Sequence, residues 1–389
     1  MNQEVGTSQK LSKASIALGI YFLLLPTDCF RIGAVGSLLK VYAFVPIAFL
    51  FLSGGMRRLI LDRLLSRLLL FLLIAALSAL WSMDFDVTVS SVRSLALNIL
   101  FAVLMAGTYQ YTEKEAGFLL KCLVASSWIT VIGMLLFGSS SELGRLTLVI
   151  GDSEQDPNYV TGYIVFAFAY HFTAFLKQRK FLHLFPTAAI MIVIILTGSR
   201  GGLAAYLACA FFAVVYGIQS SKHPVRVAVL AAAAAVLAYF VFSAAMQMVD
   251  VSISSRFSLQ YLLDHGTTGR SKIWIHLLKK FRGASIGWQL FGHGYGMTRY
   301  LNTLSGSFGG LVAHNLYIDN LMSIGIIGLL AQLALQFQCV KAALRSKNSM
   351  LVCAYGAFLV MTLSLSLTNY KPIWSAMLMI TILNRVRDD

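Results

Sequence analysis

Long apolar blocks separated by short polar loops constrain this chain most, because each block can cross the roughly 30 Å of hydrocarbon in a bilayer. Of 389 residues, 58% are hydrophobic and only 12% are charged, whereas a soluble domain carries roughly 25% charged residues. We therefore predict an all-α, polytopic integral membrane protein that forms one membrane domain over residues 1–389. About twelve blocks are candidate membrane spans: 14–30, 34–53, 64–82, 87–107, 116–137, 159–176, 181–198, 201–219, 225–248, 313–340, 349–368 and 370–384.

Charges alternate between the loops and predict an orientation. Basic residues of cytoplasmic loops outnumber those of exported loops in membrane proteins, so the basic side is expected to be cytoplasmic, with both termini on it. Segment 14–30 lacks a small-residue cleavage site and is expected to stay as the first span. The basic side carries Lys10, Lys13, Arg57, Arg58, Arg63, Arg67, Lys177, Arg179, Lys180, Lys222, Arg226, Lys341, Arg345, Lys347, Arg385 and Arg387; the other carries Asp84, Asp86, Glu142, Asp152, Glu154 and Asp156.

The net charge of +15 does not call for nucleic acid as a partner, because most of the basic residues serve as these orientation signals. The five cysteines, scattered without any metal-ligand spacing, are expected to be small core residues. They are Cys29, Cys122, Cys209, Cys339 and Cys353.

The large external loop 249–312 departs from the charge pattern. Long exported loops escape the orientation rule, but an excess of cations there favours an anionic partner. Within the loop, apolar residues between Ser271 and Phe281 recur at helical spacing, which predicts an amphipathic helix that lies on the membrane or caps the spans. The last three basic residues of that helix can equally contact lipid head groups. The loop's cations are Arg256, Arg270, Lys272, Lys279, Lys280, Arg282 and Arg299, against Asp250 and Asp264.

Two arginines stand out as candidate ligands for phosphate. Arg270 opens the amphipathic helix after Gly269, and Arg200 lies in the turn Gly198-Ser199-Arg200-Gly201 between two spans. A guanidinium binds phosphate in a bidentate manner, and glycines let a ligand approach backbone N–H groups. The alternative for Arg200 is an ordinary loop arginine that reaches lipid head groups.

The segment Asp156-Pro157-Asn158 follows Arg145. Pro157 suits the first turn of a helix and Asp156 suits its N-cap, so a capping role explains much of the motif. Carboxylates here can also chelate a cation, but the spacing is not that of a calcium loop.

The pair His314-Asn315 heads a late span. If the pair is helical, His314 shares a face with Tyr317 and Ile318, and Asn315 lies one turn from Asp319. A histidine at an interface is often structural, but an adjacent amide and an acid inside a span favour catalysis or ligand binding. Arg93 and Lys40 are weaker candidates for the same polar cavity.

Together these residues resemble the bacterial superfamily of O-antigen ligases and O-antigen polymerases. Four pieces carry the resemblance in order: Arg145 with Asp156 to Asn158, the turn Ser199 to Gly202, the loop from Gly269 through Trp274 to GHGYG, and His314-Asn315 followed by Gly325 and Gly328. They span residues 145–330. The superfamily moves glycans off a polyprenyl diphosphate carrier in the bacterial inner membrane, at a site facing the periplasm.

The resemblance implies roles for particular residues. Arg200 and Arg270 would hold the donor diphosphate, and His314 would activate the acceptor hydroxyl, in an inverting transfer that needs neither metal nor cofactor. Other residues are expected to surround the substrate: Arg145, Asn158, Ser199, Gly201, Trp274, His293, Arg299, Asn315, Tyr317 and Asp319.

Three functions remain open from the sequence. A repeat-unit polymerase, slightly preferred, joins one lipid-linked glycan to another and works with a chain-length regulator, whereas a ligase uses a lipid A-core sugar as acceptor. A flippase for the lipid-linked glycan is the third, although inverted repeats with polar sites at the bilayer midplane, typical of transporters, are not evident in the sequence.

Overall fold

The computed structural model describes residues 10–29, 31–32, 36–52, 58–140, 144–150, 153–258, 260–261, 269–304 and 310–388. The predicted all-α fold is confirmed; in these ranges the only strands form three antiparallel pairs of two-residue strands. Arg57, Glu142, Asp152, Asp264 and parts of loop 249–312 lie outside the described residues. The helices are α1 Lys13–Leu23, α2 Leu38–Tyr42, α3 Phe44–Leu52, α4 Arg63–Leu77, α5 Phe85–Gly107, α6 Glu113–Phe137, α7 Pro157–Tyr163, α8 Val165–Gln178, α9 Leu184–Leu196, α10 Arg200–Ser220, α11 Pro224–Met248, α12 Val251–Arg256, α13 Arg270–Gly283, α14 Ile286–Phe291, α15 Thr298–Leu304, α16 Leu316–Arg345, α17 Ser349–Thr362 and α18 Lys371–Asp388.

Short elements complete the chain between these helices. Two are 3-10 turns next to α1 and α4, and a third precedes α9. They are Leu25–Cys29, Ser78–Trp81 and Phe181–His183, and the strands are β1 Arg31–Ile32, β2 Gly36–Ser37, β3 Ser139–Ser140, β4 Leu146–Thr147, β5 Val149–Ile150 and β6 Ser153–Glu154.

The long apolar helices confirm a polytopic membrane protein. Six helices of the described chain are long and apolar enough to span a bilayer, and the bent pair α7–α8, with an angle of 47°, makes a possible seventh. The other predicted blocks coincide with shorter or less apolar helices, so the number twelve stays a prediction. The six are Arg63–Trp81, Phe85–Gly107, Glu113–Phe137, Arg200–Ser220, Pro224–Gln247 and Leu316–Arg345.

Close helix contacts build the core around α8, α10, α17 and α18. A Cβ on Gly356 of α17 would lie 2.4 Å from the ring of Phe212 on α10, so only glycine permits this approach. The large side chains Tyr206, Phe166 and Phe358 are fully buried between these helices. By contrast, α11 exposes aromatic residues outward, as expected where the surrounding solvent is lipid.

Capping residues fix where the helices near one end of the molecule begin. Asp156 accepts a hydrogen bond from the Asn158 backbone at the start of α7, Ser199 accepts from Gly202 at the start of α10, and Asn315 accepts from Tyr317 and Ile318 at the start of α16. Each side chain satisfies an N–H group that the first helical turn leaves free. Contacts between Ser199 and Asn158, between Gly201 and Ser364, and between Asn315 and Leu363 bring the N-termini of α7, α10 and α16 to the C-terminal end of α17, at one end of the bundle.

The amphipathic helix predicted around Ser271 to Phe281 is α13, and it caps the spans. Its buried Ile273 and Leu277 pack with Met322 of α16 and with Leu301 of α15. This packing holds α13 across the end of the bundle where the three capped helices begin.

Helix α16 is broken inside its span. Gly325 has φ 66° and ψ −165°, a conformation outside the helical range. Helix α14 packs against this break so closely that a Cβ on Gly325 would lie 2.3 Å from the Leu290 carbonyl oxygen. Non-helical backbone at membrane depth is tolerated where protein covers it, and here α14 and the residues after it provide the cover.

Candidate active site

The turn before α10 is held by two guanidinium groups. Arg145 Nε donates to the Thr197 carbonyl at 2.7 Å, and Arg256 Nε donates to the Gly198 carbonyl at 3.1 Å. Gly198 has φ +58°, and a Cβ there would lie 3.4 Å from the Arg145 side chain and 3.5 Å from Arg256. The two arginines thus flank the turn on which Arg200 is mounted.

A shared oxygen connects the predicted motifs. Asn158 Oδ1 accepts from the Arg145 guanidinium at 3.2 Å and from the Ser199 hydroxyl at 2.9 Å. The other end of the Asn158 amide donates to Asp156 Oδ1 at 2.7 Å. Arg145, Asn158 and Ser199 are thus tied to each other and hold the turn in place, and their predicted contact with substrate stays a prediction.

Close packing explains the glycines that follow Arg200. A Cβ on Gly201 would lie 2.6 Å from the Ser364 hydroxyl oxygen, and one on Gly202 would lie 2.7 Å from Thr161. The sequence suggested that these glycines admit a ligand to the backbone. In the structure they allow α10 to pack closely against α7 and the chain after α17, and a contact of Gly201 with substrate stays a prediction.

Arg200 and Arg270 lie beside this turn with differing partners. Arg200 Nη1 is buried and has no hydrogen-bond partner among the described residues, while its guanidinium lies 5.3 Å from the Tyr261 ring centre. Arg270 Nη1 donates to the Ser364 carbonyl at 2.8 Å. A buried guanidinium nitrogen without a partner is costly, so Arg200 is equipped to bind a further acceptor.

The site carries more positive than negative charge. Burial, the neighbouring Arg256 and Arg270 together lower the pKa of Arg145 to about 10, with Asp156 opposing. Burial is also the main cause that lowers the pKa of Arg270, again against the field of Asp156. Cations that are under-neutralised in a partly dry site favour an anionic ligand.

His314 does not lie on a helix, contrary to the sequence prediction. Its φ is +50°, and α16 begins only after Asn315, which acts as the N-cap. The expected shared face with Tyr317 and Ile318 is therefore wrong, because the N-cap residue and those before it have non-helical dihedrals. The histidine points from a left-handed turn rather than from the first helical turn.

The ring of His314 has an unused nitrogen and a lowered pKa. Nδ1 is buried without a hydrogen-bond partner among the described residues. Burial lowers the pKa of His314 first, the charges of Arg270 and Arg299 lower it further, and Asp156 opposes them. The imidazole is therefore neutral near pH 7, the state that a general base requires.

Three predicted site residues hold the turn that carries His314. Trp274 Nε1 donates to the Ala313 carbonyl at 2.7 Å, and Asp319 Oδ1 accepts from the Ala313 backbone at 3.1 Å. Asn315 Nδ2 donates to the Leu363 carbonyl at 3.1 Å. Their hydrogen bonds go to the protein, so they position His314.

The remaining candidates are dispersed around this centre. Tyr317 accepts a hydrogen bond from Thr362 at 3.1 Å. Arg299 is exposed on α15 and near enough to influence His314. Lys40 lines a cavity of about 40 Å³ with Asn98 and Lys371; its place in this site, like that of Arg93 on α5, stays a prediction.

His293 belongs to the break in α16. Its Nδ1 lies 3.1 Å from the Met322 carbonyl, and its ring stacks on Trp288 with centres 4.7 Å apart. The backbone N–H groups of His293 and Gly294 donate to the Met322 and Ser323 carbonyls. The GHGYG loop thus supplies hydrogen bonds to the broken helix, and the predicted contact of His293 with substrate stays a prediction.

Arg256 is the site residue that sequence reasoning did not select. It appeared there only as one cation of the external loop, and the signal available was its charge. Its contact with Gly198 joins positions 58 residues apart, and nothing local in the sequence announces that return.

The fold and site describe a class of membrane protein: a helical bundle with an arginine-rich end that also carries a neutral histidine. Residues 185–333 match the family model described as O-Antigen ligase (Wzy_C). This match confirms the resemblance to the O-antigen ligase and polymerase superfamily, and it supports membrane glycan processing of that type. Of the four motifs, the match covers the turn with Arg200, the loop from Gly269 and the His314 region.

Two other comparisons add little. No curated protein matches the chain. One similar solved structure is described as "Structural coordination of polymerization and crosslinking by a peptidoglycan synthase complex"; it has 17% sequence identity and a TM-score of 0.47, over 82% of this chain and 97% of the other.

Proposed function

We propose that this protein is a metal-independent, inverting glycosyltransferase that moves a glycan from a polyprenyl diphosphate carrier to an acceptor hydroxyl, most simply as a repeat-unit polymerase. The observation that carries the proposal is the grouping of Arg200, Arg270 and Arg256 with the unpartnered Nδ1 of His314. Such a site pairs cations for a diphosphate with a neutral base for a hydroxyl.

The reaction follows from these groups. His314 accepts the proton of the acceptor hydroxyl, and the hydroxyl oxygen forms a bond to the anomeric carbon. The bond from that carbon to the diphosphate oxygen breaks, and the lipid diphosphate leaves with the electron pair. Preorganised guanidinium groups stabilise the developing negative charge, and one direct displacement inverts the anomeric centre.

The site leaves the acceptor open. A second lipid-linked repeat makes the protein a polymerase, whose partner would be a chain-length regulator, whereas a lipid A-core sugar makes it a ligase. The family description supports the ligase as the second candidate. In either case we expect the protein in the bacterial inner membrane, with loop 249–312 and the site facing the periplasm and both termini in the cytoplasm.

Variants in a deletion strain test the proposal. We expect Arg200→Gln and Arg270→Gln to lower product at least about 100-fold, as loss of one charge-stabilising donor does elsewhere. His314→Asn should lower it about 100-fold or more, and asparagine tolerates the left-handed backbone there. Arg282→Gln, an exposed arginine of the same helix α13, is the matched control and should retain full activity.

The polysaccharide pattern of the deletion strain distinguishes the alternatives. Single repeats attached to the outer-membrane lipid without long chains indicate a polymerase, whereas long chains accumulating on the polyprenyl carrier indicate a ligase. Donor retained in the cytoplasmic leaflet would indicate a flippase. Full complementation by His314→Asn would exclude the proposed base, and loss of activity in chelator-washed membranes would contradict metal independence.

A further inference from the structure

A second cavity lies at the end of the bundle opposite the candidate active site. It measures about 630 Å³ and opens between α6, α8 and α17. Helix α17 ends next to the Ser364 region that contacts Arg270, so its first residues, Asn348 and Ser349, which line the cavity, mark the opposite membrane face. A cavity of this size accommodates an ordinary small ligand.

The outer part of this cavity is basic and polar. Lys121 of α6 and Lys177 of α8 both line it, together with Gln178 and Asn348. Neither lysine has a hydrogen-bond or ion-pair partner within the described ranges, and both are exposed. Two unpaired ammonium groups facing one cavity favour an anion.

The inner part of the cavity is apolar. Trp128 lies seven residues beyond Lys121 on α6, and Tyr170 lies seven residues before Lys177 on α8, so each is about 10 Å deeper in the bundle. Val124 and Ala125 line the wall between. The Trp128 indole is fixed by a hydrogen bond from Nε1 to His171 Nε2 at 3.2 Å.

The change from a basic outer part to an apolar inner part of the cavity matches the structure of an anionic lipid. An anionic head group belongs beside amines at the membrane boundary, and an acyl chain belongs against apolar walls nearer the bilayer centre. Basic pockets between transmembrane helices are known to bind anionic head groups. A water-soluble anion would make no contacts with the apolar inner part, whereas the positive charge of a zwitterionic lipid would oppose the two lysines.

We propose that the cavity between α6, α8 and α17 binds one anionic phospholipid, with its phosphate at Lys121 and Lys177 and an acyl chain along Trp128 and Tyr170. The site is separate from the transfer site and does not depend on the proposed reaction. It would tie α6, α8 and α17 to the leaflet opposite the active site.

Lipid binding to the purified full chain in detergent tests the proposal, with native mass spectrometry as the readout. Phosphatidylglycerol should bind at one site, and phosphatidylcholine with the same acyl chains should bind at least tenfold more weakly. The double variant Lys121→Gln/Lys177→Gln should weaken phosphatidylglycerol binding roughly 20- to 30-fold. This is the effect of losing two lysines that each contribute as much binding free energy as a lysine beside an anionic membrane surface. The matched control Lys222→Gln/Arg226→Gln removes two charges of the same face outside the cavity and should change binding less than twofold.

A second pair of variants tests the cavity by shape alone. A Cβ on Gly117, which lines the cavity, would meet nothing within 4 Å, so Gly117→Leu can fill the space without strain and should weaken binding at least tenfold. Gly283→Leu, equally unhindered on α13, should have no effect. Equal binding of both lipids, unchanged by either cavity variant, would overturn the site. Tighter binding of polyprenyl phosphate in competition would overturn the phospholipid as its occupant.

Discussion

His314 is held in a conformation that few residues adopt. A residue with a Cβ at φ +50° is uncommon, and such backbone persists when its surroundings over-determine it. Trp274 and Asp319 hydrogen-bond the backbone of Ala313 on one side of His314, and Asn315 on the other side donates to the Leu363 carbonyl; these contacts supply that constraint. At this position the imidazole is near enough to Arg270 and Arg299 for their charges to lower its pKa, in addition to the effect of burial.

The charges around His314 predict how activity depends on pH. As a base, the histidine works above its pKa, so the acid limb of kcat/KM should lie below about 6.5, the ordinary value. Asp156 raises the pKa of His314, so Asp156→Asn should shift the limb to lower pH. Asparagine keeps the oxygen that caps α7.

The opposite change provides the control for this prediction. Arg299 lowers the pKa of His314, so Arg299→Gln should move the acid limb to higher pH, by less because Arg299 is exposed and its field is screened. Rates measured in membranes from pH 5 to 8 give the acid limb of each variant. Shifts in the same direction for both variants would contradict the assignment of the limb to His314.

The sequence identifies candidate functional residues where the residue type alone is unusual for its position. Arg200, Arg270 and His314 cost free energy at a membrane boundary, so their presence there is a signal that the sequence shows directly. The sequence does not show whether a polar side chain forms its hydrogen bonds within the protein. Asn158 and Asn315, for example, hydrogen-bond to Arg145, Ser199 and backbone groups, partners that no local sequence pattern indicates, and their contact with substrate stays a prediction.

At the scale of elements, the broken helix α16 and the loop that covers it form one unit. Gly292 and Gly325 approach each other's backbone on either side of the contact, and a Cβ on Gly292 would lie 2.4 Å from the Ser323 carbonyl. Both glycines have positive φ. The contact therefore needs glycine for space as well as for conformation.

Substitution of Gly292 should destabilise this unit. Gly292 has φ 71° and ψ −172°, a region that essentially only glycine adopts, so Gly292→Ala incurs about 1–3 kcal/mol of backbone strain, plus the cost of moving the Ser323 backbone. We expect a lower melting temperature of the detergent-purified protein and a loss of activity. Gly287 is also on α14, but a Cβ there would meet nothing within 4 Å, so Gly287→Ala should melt like the wild type. Equal melting temperatures of the two variants would contradict the stabilising contact between Gly292 and the break in α16.

Helices were predictable from the sequence, whereas the break was not. Apolar blocks and caps such as Asp156 and Ser199 mark where helices lie and begin. A single glycine inside an apolar run is common in membrane helices, so Gly325 gives no local warning. The break arises from the contact with α14, which the chain reaches 34 residues earlier, at Phe291.

For the whole molecule, the two ends of the bundle differ in chemistry. One end gathers Arg145, Arg200, Arg256 and Arg270 in a partly buried site, and the other presents basic residues on short loops and the cavity with Lys121 and Lys177. The orientation rule assigns the second end to the cytoplasm. That assignment stays a prediction.

Cysteine labelling of intact cells measures the orientation. In a variant with Cys29→Ser, the four remaining cysteines are buried, so only introduced thiols should react. Ser285→Cys, before α14, should react with a membrane-impermeant maleimide in permeabilised-outer-membrane cells. Lys222→Cys, between α10 and α11, should react only after lysis, and the reverse pattern would invert the topology.

The position of the GHGYG loop ahead of α16 in the chain has a consequence for biogenesis. Backbone carbonyls at Met322 and Ser323, which the break releases, accept from His293 and Gly294; left alone in hydrocarbon they would be costly. Because a chain emerges from the ribosome N-terminus first, the donors are synthesised before the helix that needs them. The loop can therefore serve as a template on which α16 completes its insertion, and a permuted chain that placed the loop last would have to insert an unsatisfied helix.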